Sequence, residues 1–351
     1  MQGRKVTAAL AALALMATLS ACGKREAAGG AAASPLGRMA QAVNTAKFVP
    51  KGAAQAKAEA KPAADGYDPV ILKLQVLLDR ARFSPGAIDG RMGPNLERAL
   101  RAFQAANGLE GDGVLNAATW NLLTKADPRP VLRTYIIDAD DVAGPFTPRI
   151  PHDLAAMARL DMLGYQNPAE EVAESFHMDP ALLHALNPGA DLRAGSTILV
   201  ASRGGDDLGE DVGRVEIDRA EGIVRAYGLG GRLVAAYPAT VGSRRRPAPV
   251  GTLLVDAVAG APSYDYQDDE VSQAGAQRAS TEIAAGPNNP VGVVWIGLND
   301  KDRGDKAYGV QGCADPTQVG APTERGWVQL TNWDARELAR GVRKGVPIVF
   351  K

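Results

Sequence analysis

The stretch Gly320-Ala321-Pro322-Thr323-Glu324-Arg325-Gly326-Trp327-Val328-Gln329-Leu330-Thr331-Asn332-Trp333-Asp334 leads out of a Gly- and Pro-containing loop into a helix, Asp334 to Arg343. A final strand, Pro347 to Phe350, follows. Upstream, Val215-Glu216-Ile217 and Ile223-Val224-Arg225-Ala226-Tyr227 alternate as half-buried strands do. Leu233 to Tyr237, Gly251 to Val255 and Val293 to Ile296 continue the pattern. Many strands with one late helix predict a β-rich, sandwich- or barrel-like domain over 213–351.

The chain has 351 residues, enough for two or three domains at about 100–200 residues each. Apolar residues make up 46% of it, which excludes wholesale disorder. Lys+Arg number 39 against Asp+Glu 40, so the basic excess of a general nucleic-acid binder is missing. Two cysteines, Cys22 and Cys313, exclude a disulfide scaffold and a four-cysteine zinc site. The three histidines are His152, His177 and His184. His177 and His184 lie seven apart, but no third His or Cys is near, so no metal or cofactor is expected.

Arg4 and Lys5 precede a short apolar run, Val6 to Thr18, as in a secretory signal. Its end, Leu19-Ser20-Ala21-Cys22-Gly23, resembles the bacterial lipobox. That resemblance implies a lipoprotein signal over 1–22, cut just before Cys22, and lipidation of Cys22. With Gly rather than Asp at 23, it implies an outer-membrane anchor facing the periplasm. Residues 23–65 are rich in Ala, Gly, Lys and Pro and read as a flexible linker. A coil of roughly 40 residues spans about 35 Å.

In 66–127, Ile71, Leu74, Leu77 and Leu78 recur at helical spacing, as do Leu96, Leu100 and Phe103. Asp89-Gly90 and Asp112-Gly113 mark two turns, the second before a helix from Ala118 to Thr124. Leu74-Gln75, Asp89-Gly90, Phe103-Gln104, Gly108-Leu109, Asp112-Gly113 and Thr119-Trp120 together resemble the three-helix peptidoglycan-binding domain found beside wall enzymes. Asn116 stands where that family has glycine, and is expected to take over a left-handed turn. The resemblance implies muropeptide binding beside Asp89 and Asp112. Trp120 falls on the apolar helix face and reads as core.

In 132–202, Tyr135 to Ile137 reads as a strand, Ala169 to Phe176 and Pro180 to Leu186 as helices, and Thr197 to Val200 as a strand. With Phe176-His177, Leu186-Asn187-Pro188-Gly189 and Ile198-Leu199-Val200, this α/β module resembles LysM. The chain is therefore a multidomain α+β protein.

Four strings in 213–351 resemble the YkuD-type L,D-transpeptidase domain. They are Val241-Gly242-Ser243 with Ala248-Pro249-Val250-Gly251, then Pro287-Asn288-Asn289-Pro290-Val291-Gly292, then Tyr308-Gly309-Val310-Gln311-Gly312, and the stretch quoted first. The family uses a cysteine thiolate to attack a peptidoglycan stem peptide, with histidine as base. At the matching positions this chain has Trp327 for the cysteine, Gln311 and Arg325 for the histidines, and Gln329 for the arginine. Indole is no nucleophile, and arginine stays protonated. The resemblance so qualified implies a wall-binding pseudoenzyme, with Trp327, Trp295, Arg325, Gln311 and Gln329 as candidate ligand contacts. Two alternatives stay open: a relocated acyl transfer at Cys313, and a scaffold for another wall enzyme. Arg244-Arg245-Arg246 reads as a solvated loop, and Tyr264 to Glu270 as an acidic loop. The expected partners are peptidoglycan and, through the lipid at Cys22, a membrane; no nucleic acid is expected.

Overall fold

The computed structural model describes residues 34–50, 66–243, 247–267, 280–299, 308–321 and 327–351. Cys22, the Arg244–Arg246 run, residues 268–270 and Arg325 lie outside the described residues. No described helix is long and apolar enough to cross a membrane.

The stretch expected to be a featureless linker contains a docked helix, α1 (Pro35–Asn44). Ser34 caps it, its side chain accepting from Gly37 N–H at 3.0 Å, and Pro35 opens the first turn. Leu36, Met39, Ala40 and Val43 share one face and pack on the core. Asn44 then accepts from the N–H groups of Val131 and Leu132, both at 2.8 Å, and donates to Leu132 C=O at 3.0 Å. Composition hid this because four apolar residues at helical spacing are few among the surrounding Ala and Gly.

Three helices follow: α2 (Pro69–Arg80), α3 (Pro94–Ala106) and α4 (Ala117–Ala126). Between them the two Asp-Gly turns are built alike. Gln75, buried, accepts from the N–H groups of Asp89 (3.2 Å) and Gly90 (2.7 Å), and donates to Asp89 Oδ1 (2.8 Å). Gln104, also buried, accepts from Gly113 N–H (2.9 Å) and donates to Val114 C=O (2.9 Å). Each Asp carboxylate caps its own turn, Asp89 accepting from Arg91 N–H and Asp112 from Val114 N–H. Gly90 has φ +70° and a Cβ there would lie 2.5 Å from Tyr67 Cβ, so glycine is required. Asn116 does not take a left-handed turn. It sits at φ −132° as the N-cap of α4, accepting from Thr119 N–H at 2.9 Å. An Asn side chain satisfies that orphan N–H, which a glycine has no atom to do. Trp120 is buried under Phe48 and Lys73 and is core as expected.

The next module runs β1 (Leu132–Ile136), α5 (Leu154–Met157), α6 (Pro168–Ser175), α7 (Pro180–Leu186) and β2 (Thr197–Ala201). β1 and β2 pair antiparallel, with Leu132 opposite Ala201. Buried Asn187 fastens α7 to β2 by accepting from Leu199 N–H at 2.6 Å and donating to Leu199 C=O at 2.8 Å. One apolar core starts at Val43, is shared by α1, the three helices and this module, and takes in Ile223 and Ala236 farther along the chain.

The remaining elements are β3 (Val212–Asp218), β4 (Ile223–Gly228), β5 (Leu233–Pro238), β6 (Thr240–Val241), β7 (Gly251–Gly260), β8 (Tyr264–Gln267), β9 (Ser280–Ile283), β10 (Val294–Leu298), β11 (Tyr308–Gln311), β12 (Val328–Gln329), α8 (Asn332–Gly341) and β13 (Pro347–Phe350). Among the described residues nine strands form one sheet, ordered β5-β4-β3-β13-β7-β10-β11-β12-β6. Its two edge strands are joined through Ala239 alone. Edges so tied force the sheet to curl round its own core, which gives the barrel-like form. The acidic loop expected from Tyr264 begins instead as β8, paired with β9 in a separate hairpin. Its tyrosines at alternate positions were the strand signal.

The helical module also caps the sheet. Ser84 N–H donates to Ala236 C=O and Ala236 N–H to Arg82 C=O, both at 2.9 Å, so the α2–α3 loop pairs with edge strand β5. The same loop turns at Ile88, which bonds to His177 C=O (2.8 Å) and to Asp179 N–H (2.9 Å).

Removing the Gln104 side chain leaves the Gly113 N–H buried and unpaired. Gln104→Ala should therefore lower unfolding free energy by about 2 kcal/mol, read as a fall in thermal midpoint. An exposed Gln41→Ala control on α1 should stay within about 0.5 kcal/mol.

Candidate functional site

β11 and β12 run parallel, with Gln311 opposite Gln329. The pairing thus brings two of the candidate ligand contacts side by side. Both side chains are buried. Gln311 Nε2 donates to Pro290 C=O at 3.1 Å, and among the described residues its Oε1 has no hydrogen-bond partner. Trp327 lies at the start of β12. Its ring meets Trp295 edge-on (centroids 5.7 Å, 84°) and Tyr264 likewise (5.8 Å, 81°). The Trp295 ring passes over Gly309, where a Cβ would come within 2.7 Å of it. Trp327 is therefore an indole wedged between two other aromatic rings. An indole offers neither a lone pair for attack nor a proton acceptor.

Beside this cluster is a cleft of ≈ 720 Å³ between α6, α7 and the 313–318 segment. Gln329 and Cys313 line it; Trp327, Trp295 and Gln311 do not. The Cys313 thiol is buried and donates to Asp315 C=O at 3.2 Å. The β domain contains no histidine, but His184 of α7 and His152 reach the same cleft from the preceding module. Glu170, Glu174 and Asn288 line it as well. Asn288 Nδ2 donates to Glu170 at 2.7 Å and to Gly164 C=O at 3.0 Å. This gives a role to Asn288 of the Pro287–Gly292 string, which sequence patterning alone left without one.

A second hollow of ≈ 450 Å³ lies beside the first Asp-Gly turn and includes Asp89, Arg91 and Arg98. Asp112 lines none of these cavities. Both Asp89 and Asp112 are occupied in capping their own turns, as described above.

Three consecutive residues at the start of α8 join the cleft to the rest. Asn332 Nδ2 donates to Glu174 at 3.2 Å and to Pro287 C=O at 3.1 Å. The Trp333 ring stacks on His177 (5.0 Å, 10°). Asp334 accepts from Ser84 Oγ at 2.9 Å. His177 in turn shares a 2.8 Å hydrogen bond with Asp79 of α2. His177 is thus a packing residue between modules.

These contacts leave several carboxyls away from water. Burial pushes Glu174 up to about 7, against the opposing pull of its bond from Asn332. Burial likewise pushes Glu337 up to about 7, although Arg82 and Tyr237 favour its ionised form. Asp334, fully enclosed, is raised well above the usual carboxylate range. Asp79 is the exception: burial would raise it, but His177 and the Gly204 N–H hold it below its ordinary value. Among the described residues, no group of three or more His, Cys, Asp or Glu side chains is placed to hold a metal ion.

Residues 68–123 match the family described as "Putative peptidoglycan binding domain". The matched span covers α2 to α4 with both Asp-Gly turns. No curated protein matches the chain. Solved structures similar to it include L,D-transpeptidase 3 from Mycobacterium tuberculosis, at 13% identity and TM-score 0.29, covering 46% of this chain and 76% of that one. Another is the catalytic domain of the E. faecium L,D-transpeptidase acylated by ertapenem, at 17% and 0.30, covering 40% and 98%. A third is the L,D-transpeptidase from Xylanimonas cellulosilytica (residues 123–326), at 17% and 0.32, covering 82% and 95%. None of these likenesses bears on the chemistry of this chain.

Glu174 and Glu337 bind protons more tightly folded than unfolded, where glutamate titrates near 4.5. Their contribution is therefore full below about 4.5 and is lost as pH rises through about 7. Each is worth up to about 3 kcal/mol. Asp79 and Asp127, the latter lowered to about 2, act oppositely and lose their contribution in strong acid. The thermal midpoint should accordingly rise from pH 8 to pH 5 and fall below about pH 4. Glu174→Gln should flatten the upper limb. A midpoint that does not change between pH 5 and 8 would contradict the burial of both groups.

Proposed function

We propose that this chain is a peptidoglycan-binding protein of the bacterial cell envelope whose C-terminal domain has an L,D-transpeptidase-like frame and no transpeptidase nucleophile. The observation that carries the reading is the packing of Trp327. It stands where the resemblance calls for cysteine, and it is held between Trp295 and Tyr264. The match of residues 68–123 to a peptidoglycan-binding family supports the wall as the partner. In this reading Cys22 carries lipid and anchors the protein at the outer membrane, facing the periplasm. The β1-α6-α7-β2 module acts as a second, LysM-like wall contact. Arg325 and Gln329 contribute to ligand binding rather than to chemistry.

One observation favours a second reading. Cys313, His152 and His184 line one cleft although they come from different modules. A thiol with imidazoles in the same hollow is the composition an acyl transfer needs. The thiol would have to leave its bond to Asp315 C=O and give its proton to an imidazole; attack on the stem carbonyl then forms a thioester as the C–N bond breaks and the released amine takes that proton.

Incubation of the protein lacking residues 1–22 with purified sacculi separates the two. Wall binding without catalysis predicts that the protein sediments with the sacculi and that muropeptide mass spectra stay unchanged. New 3–3 cross-links, abolished by Cys313→Ala, would establish the second reading. A protein that stays in the supernatant would remove the first.

A further inference from the structure

The segment from Ser34 to Pro50 is held by two modules at once. On the helical module, Lys73 Nζ donates to the C=O groups of Asn44 (2.7 Å) and Ala46 (3.2 Å), at the C-terminal end of α1 where carbonyls lack helical partners. Phe48 then meets the Trp120 ring, with centroids 6.2 Å apart. On the next module, the Asn44 side chain takes the N–H groups of Val131 and Leu132 and the C=O of Leu132. Val43 is fully buried between them, in the core that both modules share. A helix of 10 residues is shorter than the roughly 12–15 that an isolated helix needs in water. The helix of α1 and its docking are therefore one event, and the docked segment is a fixed point of the chain.

We propose that α1 is the point at which the N-terminal anchor takes hold of the folded body, so that residues 23–33 alone set its reach. Residues 51–65 then lie outside the line between membrane and wall. The proposal rests on the reading in which Cys22 carries lipid, and it adds what governs the distance between that lipid and the wall-binding modules. Ser34 follows Cys22 by 12 residues, a stretch that cannot exceed about 40 Å. Without the dock, the first fixed point would be Gly66, whose C=O accepts from Arg91 Nε at 2.9 Å. That point follows Cys22 by 44 residues, which extend to about 150 Å. Docking thus shortens the greatest reach more than threefold. It also moves the point of pull from the start of α2 to the seam between α2, β1 and β2, against which α1 packs. Ser34 and Pro50 are both exposed, so the chain enters and leaves the dock at the surface. Residues 51–65 join two points already fixed on the same body.

The test measures the path directly, in the protein beginning at Cys22 and without lipid. Spin labels are placed on Cys22 and on Ala220→Cys, an exposed position in the β3–β4 turn, with the buried Cys313 replaced by alanine. Twenty Gly-Ser residues are inserted either between Ala28 and Gly29 or between Ala58 and Glu59. Pulsed electron-electron resonance should show the first insertion lengthening the mean label distance by about 5–10 Å, as coil scaling predicts. The second should leave the distance unchanged. Equal lengthening by both insertions would show that α1 does not hold the path, and would overturn the proposal. Val43→Asp with Asn44→Ala, which breaks the dock, should make the second insertion as effective as the first. The two insertions in the chain with α1 intact decide the matter even where that variant fails to fold. Flotation of the full-length protein from a bacterial host with phosphatidylethanolamine–phosphatidylglycerol vesicles reads the anchor separately, with Cys22→Ala as control. A full-length protein that does not float would remove the lipid and with it the role in setting membrane distance, whatever the labels report of the dock.

Discussion

The first turn of α8 is the constraint on which the assembly rests. Thr331 caps the helix, its side chain accepting from Asp334 N–H at 3.1 Å, and so fixes where the next three side chains point. Asn332 reaches Glu174 of α6, Trp333 covers His177, and Asp334 meets Ser84 of the α2–α3 loop. A single helix N-terminus thereby ties the β domain to both preceding modules. Gly292 and Gly312 make this possible, since a Cβ at either would fall 2.3 Å from Asn332 Oδ1. The string Asn332-Trp333-Asp334, read from sequence as part of a catalytic-domain signature, works here as a docking device.

The docking is polar and buried, which makes it specific and costly at once. Carboxyls at such a junction are tolerated because each has a partner: Glu337 has Tyr237 and Arg82, and Asp79 has His177 and the Gly204 N–H. Replacing one partner leaves the other buried and unpaired, so these pairs specify one arrangement of modules more than they add to stability. The same arrangement aligns the cleft and the hollow along a common wall at 316–317.

Much of the site was legible in the sequence, and the limits are physical. The substitutions at Gln311, Trp327 and Gln329 are visible because residue identity alone decides whether a nucleophile or base is present. The register that sets Gln311 beside Gln329 was not visible, since a two-residue strand has too little pattern to pair by inspection. The turn residues Asp89 and Asp112 were read as ligand contacts. In the fold one oxygen of each carboxylate accepts a local N–H, and Asp89 also lines the ≈ 450 Å³ hollow. The meeting of His152 and His184 with Cys313 was not visible, because the cleft brings residues 150–184 against a segment more than 100 residues on.

What the sequence by itself determined is local. It determined the helical periodicity of 71–78 and 96–103, the two Asp-Gly turns, the alternating strands, and the absence of histidine after His184. Each follows from short-range spacing or from side-chain chemistry, and neither needs a partner distant in the chain. Only the tertiary structure decided the rest. It docked α1 onto β1, tied the two edge strands of the sheet through Ala239, wedged Trp327 between Trp295 and Tyr264, and set two hollows against the same 316–317 turn. Those outcomes depend on burial and on hydrogen bonds between residues far apart in sequence. Their free energy is set by which surfaces meet, and a linear order of residues leaves that choice to packing.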